Sequence, residues 1–289
     1  MTRHSSAAIA LIVFYGVVVA GASHARAQSA DPPQAPPVIT AVTPMADDDA
    51  ALDPIEPDFS LVNLPTTLRL PRNTGNFHLT HRFNENLRTD DFSTQIQNLF
   101  GLDNGANIGL EFRWGIMRHL EAIVQRTSIS RDIQFSGKYD AVHQSASRPV
   151  SLSAIVAVEG DNNFRHHYSP SLGLVVSRKI ADAVALYATP FWVHNTTAEE
   201  TPTQDTGFLG LGARVRITPT VYVVGEVPPR LGGYVIMDPE YGFAIEKRVG
   251  AHVFSLTFTN APATTFRQLA QGGNPDTLNL GFNLTRKFF

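Results

Sequence analysis

The chain has no cysteine, which excludes a disulfide framework and any thiolate-ligated metal site. It also lacks an excess of charge of either sign. Its 23 Lys and Arg residues face 26 Asp and Glu, for a formal net charge of -3. That balance argues against nucleic acid as a partner, because phosphate-binding domains show a basic excess. After residue 21 no apolar run is long enough to form a membrane-spanning helix. Spanning strands are not excluded by this, because alternating apolar and polar residues average to a neutral hydropathy.

What is present begins with a leader-like segment. In residues 1–27, Arg3 and His4 precede an apolar stretch over 7–21, and Ala25-Arg26-Ala27 has the small-x-small form of a cleavage site. This predicts an exported chain beginning at Gln28. Residues 28–61 hold Pro32-Pro33, Pro36-Pro37 and the run Asp47-Asp48-Asp49, a composition too poor in apolar surface to offset chain ordering. They are expected to form a disordered or extended periplasmic arm. Residues 62–289 form the remaining domain.

That domain reads as about twelve short strands with period-two alternation. The clearest lies at the end of the chain, where Leu278, Leu280, Phe282, Leu284 and Phe288 interleave with Asn279, Asn283, Thr285 and Lys287. Connections near 115–118, 180–183, 218–219 and 249–250 are tight. Those near 88–105, 159–168, 194–206, 228–240 and 260–275 are long and polar. Segment 140–149 is long where a turn is expected, and 129–132 is short where a loop is expected. Short turns at one end and long loops at the other predict an all-β, antiparallel up-and-down transmembrane barrel of the bacterial outer membrane. Trp114, Tyr168, Tyr187, Phe191, Trp192, Tyr222, Tyr241 and Phe288 fall near strand ends, as an interfacial aromatic belt requires. Phe282, Leu284 and Phe288 are the candidate C-terminal insertion signal. The expected partners are outer-membrane lipid, the barrel-insertion machinery and a small polar solute.

Alternation also assigns an inward face. Arg82, Glu111, Arg113, Glu121, Arg214, Arg216, Glu226 and Glu246 are the candidate lumen-lining charges. Across the turn at Pro219, Arg214 is expected opposite Val224 and diagonal to Glu226, within reach of a long side chain. Mixed signs fit either a lumen that selects a small polar solute or paired charges that fill the interior. Catalytic and cofactor signals are weak. His78 and His81 are three apart on a strand and point to opposite faces. His166 and His167 have no third ligand nearby in sequence, Asn195-Thr196-Thr197 means little as a glycosylation site in a bacterium, and no Gly-rich phosphate loop is present. No cofactor and no catalytic residue is assigned. The readings are a narrow channel, a structural or partner-binding envelope barrel, and a barrel hydrolase, in descending order of support.

Four motifs carry a resemblance to a known family: Leu64-Pro65-Thr66-Thr67-Leu68, Thr80-His81-Arg82-Phe83, Gly250-Ala251-His252-Val253-Phe254 with Thr257-Phe258-Thr259-Asn260, and Gly281-Phe282-Asn283-Leu284-Thr285-Arg286. In that order, from about residue 57 to 288, they resemble the uncharacterised bacterial membrane-bound β-barrel domain of unknown function 5777. Members end on the aromatic corresponding to Phe288, whereas Phe289 follows here. The resemblance implies an outer-membrane barrel and transfers no activity.

Overall fold

The computed structural model describes residues 53–89, 91–101, 105–197, 204–233 and 237–288. The leader read over 1–27 and the run Asp47-Asp48-Asp49 lie outside the described residues.

The strands are β1 (Gly75–Phe83), β2 (Ala106–Met117), β3 (Leu120–Thr127), β4 (Ile133–Val142), β5 (Ser151–Gly160), β6 (His166–Ile180), β7 (Val184–Val193), β8 (Thr206–Thr218), β9 (Val221–Val227), β10 (Arg230–Gly232), β11 (Gly242–Val249), β12 (His252–Thr259) and β13 (Asn279–Phe288). Each main strand pairs antiparallel with its neighbours, and β1 pairs with β13 from Gly75↔Phe288 to Arg82↔Gly281. The result is a closed ring of 12 strands with β10 as an extra short piece on β8. Closure leaves no unpaired strand edge, the condition for a backbone that crosses hydrocarbon. The extra piece has a local cause. Pro228 and Pro229 lack N–H groups and interrupt the ladder between β9 and β10.

The tight connections cluster at one end of the barrel, here the turn end, where β2–β3, β6–β7, β8–β9 and β11–β12 join. Longer connections lie at the opposite, loop end, with the short helices α1 (Phe92–Gln97), α2 (Asp161–Phe164) and α3 (Phe266–Gln271). Along β2 the side chains of Ile108, Leu110, Phe112 and Trp114 face outward and are exposed. They form one part of an apolar exterior that continues through Leu172, Leu186, Val223, Ile245 and Phe254. On β13, Phe282 and Phe288 belong to that exterior, whereas Asn283, Thr285 and Lys287 point inward and are buried.

The aromatic belt needs correction. Tyr187, Phe191 and Tyr222 are buried inside the barrel. On β7 the outward phase is held by Leu186 and Trp192, so odd-numbered aromatics on that strand must point in. Trp114, Tyr168, Trp192 and Phe288 do face out.

Two chain segments occupy the lumen. The first is N-terminal. Residues 53–72 enter at the turn end, double back through a Ser60↔Pro65 bridge with Leu61 N–H donating to Leu64 O (2.8 Å), and leave to begin β1. Residues 55–61, part of the arm by composition, are buried among the lumen residues. Glu56, Asp58, Phe59, Leu61, Val62 and Leu64 are all at most 1% exposed. The second segment is the β12–β13 connection. It folds inward through α3, capped by Thr265, whose side chain accepts from Gln268 N–H. Phe266, Arg267, Gln268, Leu269 and Ala270 are buried.

Both segments rest on the same wall. Ile55, Leu61, Val62 and Leu64 share one apolar cluster with Phe266 and Leu269 of α3 and with Ile155, Val175, Tyr187, Phe191, Phe208 and Val224 of β5–β9. Burial of each such large side chain stabilises by about 1.5–3 kcal/mol. The approach is close enough that a side chain at either of two glycines would require the leucines to shift. A Cβ on Gly212 would stand 2.2 Å from Leu61 Cδ1, and one on Gly210 would stand 2.8 Å from Leu64 Cδ2.

Candidate functional site: the filled lumen

The lumen is built from inward residues of every strand, and its chemistry changes with height. At the turn end, Lys179 Nζ lies 2.6 Å from Asp53 Oδ2 and 3.4 Å from Glu56 Oε2. Tyr187 Oη donates to Glu56 Oε1 at 2.8 Å, and Thr285 Oγ1 donates to Asp58 Oδ2 at 2.7 Å. Arg248 donates to the Asp53 carbonyl at 3.1 Å, and Tyr222 Oη to that of Pro54 at 2.9 Å. The Phe59 ring lies between the Arg113 guanidinium at 5.4 Å and the Lys287 ammonium at 5.1 Å, both in cation–π range. Burial opposes ionisation of Asp53, but Lys179 and the N–H groups of Glu56 and Ile55 outweigh it and hold this carboxyl below the usual range.

Higher in the lumen, Glu226 receives the tip of the N-terminal hairpin. Its two oxygens accept the backbone N–H groups of Val62 (3.0 Å), Asn63 (2.8 Å) and Leu64 (3.0 Å). One buried carboxylate thus satisfies three donors that the apolar cluster does not pair, where each would otherwise be a costly orphan. Asn63 Nδ2 donates to Glu240 Oε1 at 2.8 Å, and Arg82 Nη2 donates to Asn63 Oδ1 at 3.2 Å. Burial and the neighbouring Glu226 carboxyl push Glu240 upward. Asn283 Nδ2 donates to the Val62 carbonyl at 3.0 Å.

Of the eight candidate charges, seven reach the interior network. Arg113 pairs with Glu111 (2.6 Å) and Glu121 (3.3 Å), and Glu121 is shared with Lys138 (3.2 Å). Arg82 also donates to Asn283 Oδ1 at 2.7 Å. Arg214 sits opposite Val224 as expected, but its carboxylate partner is Glu246, at 2.8 and 3.1 Å, rather than Glu226. The diagonal position lost because β11 brings Glu246 alongside, while Glu226 is taken by the hairpin tip. Arg214 Nη2 also donates to the Ser60 carbonyl at 2.7 Å. Arg216 stands at the turn-end rim, half-buried, and donates to the Asp182 carbonyl at 3.3 Å.

At the loop end, α3 brings a second ionic cluster that sequence reasoning missed. Arg267 pairs with Asp132 (3.0 Å) and Glu159 (3.1 Å), and Gln268 donates to Asp132 at 2.8 Å. Phe266 N–H donates to Gln134 Oε1 at 3.0 Å, and its ring lies 4.5 Å from that of Phe191. Between hairpin and helix remains a cavity of about 30 Å³ bordered by His78, Thr80, Glu111, Gln125, Gln134 and Thr264. Outside α3, a vestibule of about 380 Å³ opens beside Asn84, Asn107, Asn260, Gln271 and Asn274.

The histidines behave as alternation requires. His78 is buried in the lumen, and His81 faces out, stacked on Phe282 at 4.8 Å. His167 pairs with Asp161 and His194 with Asp205, each at 2.6 Å near the loop end. Among the described residues no group of three or more His, Asp or Glu is placed to hold a metal ion.

Among solved structures, the NanC porin is similar to this chain at 6% identity with a TM-score of 0.51, covering 74% of this chain and 99% of its own. The outer membrane protein Omp33 of Acinetobacter baumannii aligns at 10% identity with a TM-score of 0.41, covering 76% and 99%. Among curated proteins, none matches the chain. The model of the membrane-bound β-barrel domain matches residues 58–288, from the hairpin's Asp58 to the last aromatic of β13. The chain belongs to the membrane-bound β-barrel domain family, DUF5777.

Proposed function

We propose that this protein is a channel-type barrel of the bacterial outer membrane, non-enzymatic, held closed by its own N-terminal hairpin. The observation that carries the reading is the seat of residues 62–64 on Glu226, at the end of a segment that fills the lumen from the turn end. The porin-like fold and the polar inner wall support a conduction path. The turn end is then periplasmic and the loop end external. A hydrolase gains no support at His167 or His194: each pairs its ring with a carboxylate, and the bonds described there include no serine hydroxyl.

The test is single-channel recording in planar bilayers. Wild type is expected to be silent or to open rarely. Glu226→Ala removes the acceptor of three hairpin N–H groups and is expected to raise the open probability at least tenfold, with discrete conductance steps. A folded Glu226→Ala protein that stays silent sinks the channel reading and leaves a permanently filled, structural barrel.

A further inference from the structure

Lys179, Arg248 and Lys287 each stand one residue from the turn end of their strands, on β6, β11 and β13. All three point inward at the N-terminal segment. Among the described residues, none is ion-paired with a carboxylate of the barrel wall. Both ion pairs of Lys179 go to the hairpin's Asp53 and Glu56, Arg248 donates to the carbonyls of Asp53 and Pro219, and Lys287 faces the Phe59 ring. Deeper in the wall, Arg82 donates to Asn283 and to the hairpin's Asn63, but three other cations differ. Arg113, Lys138 and Arg214 each have wall carboxylates in Glu111, Glu121, Asp140 and Glu246. The mouth therefore carries positive charge whose counter-charge is supplied by the hairpin.

The neutral groups there match the same ligand type. Tyr187 and Thr285 present hydroxyls that donate to Glu56 and Asp58. Ammonium and guanidinium groups with added hydroxyl donors suit a ligand with acceptor oxygens only, such as an ionised carboxylate or phosphate. Withdrawing the hairpin would leave this ring without counter-ions in a narrow, low-dielectric opening, where a field of one sign concentrates anions. We infer that the turn-end mouth is a binding ring for small multivalent anions, occupied at rest by the hairpin's Asp53, Glu56 and Asp58 carboxylates in place of solute. The ring deepens the channel reading by naming a solute class, and rests on it for transport, though not for binding.

The test uses the full chain carrying Asp53→Asn, Glu56→Gln and Asp58→Asn, with citrate as the probe anion. Calorimetric titration is expected to show citrate binding at least tenfold tighter than to wild type. Adding Lys179→Gln and Lys287→Gln should remove that gain. In a bilayer under a KCl gradient, the triple variant should show a reversal potential on the chloride side. No citrate binding, or binding indifferent to the two lysines, overturns the inference. If the triple variant does not give a folded band on a heat-modifiability gel, wild type decides instead. Citrate should then speed proteolysis within residues 53–72 several-fold relative to NaCl at equal ionic strength, and equal rates overturn the inference. The two readings fail separately. Citrate binding by a silent barrel removes only the channel, whereas currents without anion preference or citrate binding remove only the ring.

Discussion

The two segments inside the barrel solve the same packing problem with opposite electrostatics. The N-terminal hairpin brings carboxylates to wall cations, with Asp53 and Glu56 on Lys179. Helix α3 brings a cation, Arg267, to the wall carboxylates Asp132 and Glu159. Their tethering differs as well. Helix α3 lies in a connection anchored by β12 on one side and β13 on the other, whereas among the described residues the hairpin is continuous with a strand at β1 alone. Both bury aliphatic side chains in one cluster on the β5–β9 wall. The hydrophobic term therefore does not distinguish them, and charge and tether decide which one can leave.

The largest effect is expected from breaking the helix's cluster. Arg267→Met leaves Asp132 and Glu159 buried without their cation, a loss of about 3–5 kcal/mol for a buried pair. Because α3 cannot withdraw far, the barrel itself should register the loss as a lowered denaturant midpoint in lipid micelles, followed by tryptophan fluorescence. An unchanged midpoint would place α3 among the removable elements. A smaller and different effect is expected from Gly212→Val, which puts a branched side chain where Leu61 Cδ1 already approaches a Cβ position to 2.2 Å. The hairpin should be expelled, with residues 53–72 becoming protease-sensitive while the barrel's unfolding midpoint shifts little. The comparison breaks if the midpoint falls and the segment remains protected. The smallest effect concerns pH. The Asp53 carboxyl is held below its ordinary value, so its contribution to docking is present above the unfolded carboxylate range and is lost as pH falls through the depressed value. For a partly exposed pair this amounts to about 1 kcal/mol or less. Protease access to the hairpin should rise modestly in acid, and Asp53→Asn should flatten that dependence.

The strands and their faces were legible because a period of two in hydrophobicity maps directly onto the two sides of a sheet. It placed Arg82, Arg113, Glu121, Arg214, Glu226 and Glu246 in the lumen, where they are buried. Their partners were less legible. Arg214 reaches past the adjacent β9 to Glu246 on β11, a neighbour two strands away and invisible to pairing within one hairpin. The N-terminal hairpin was hidden by composition. Pro54, Glu56, Pro57 and Asp58 read as solvated chain, and the groups that satisfy Glu56 and Asp58, Tyr187 and Thr285, lie 131 and 227 residues away. Helix α3 left a faint trace. Phe266, Leu269 and Ala270 follow helical i, i+3, i+4 spacing after a capping Thr265, in a stretch short enough to read as loop.

The hairpin enters and leaves by the same mouth, from Asp53 beside Lys179 to β1 beginning at Gly75. No part of it threads through to the far side, so the closing seam between β1 and β13 places no topological lock on it. The wall can assemble first and receive the hairpin afterwards, or release it whole, without any strand pair separating. Docking is in that sense an intramolecular binding equilibrium superimposed on a finished barrel. Its position is set by local concentration, which a chain tethered directly to the rim keeps high.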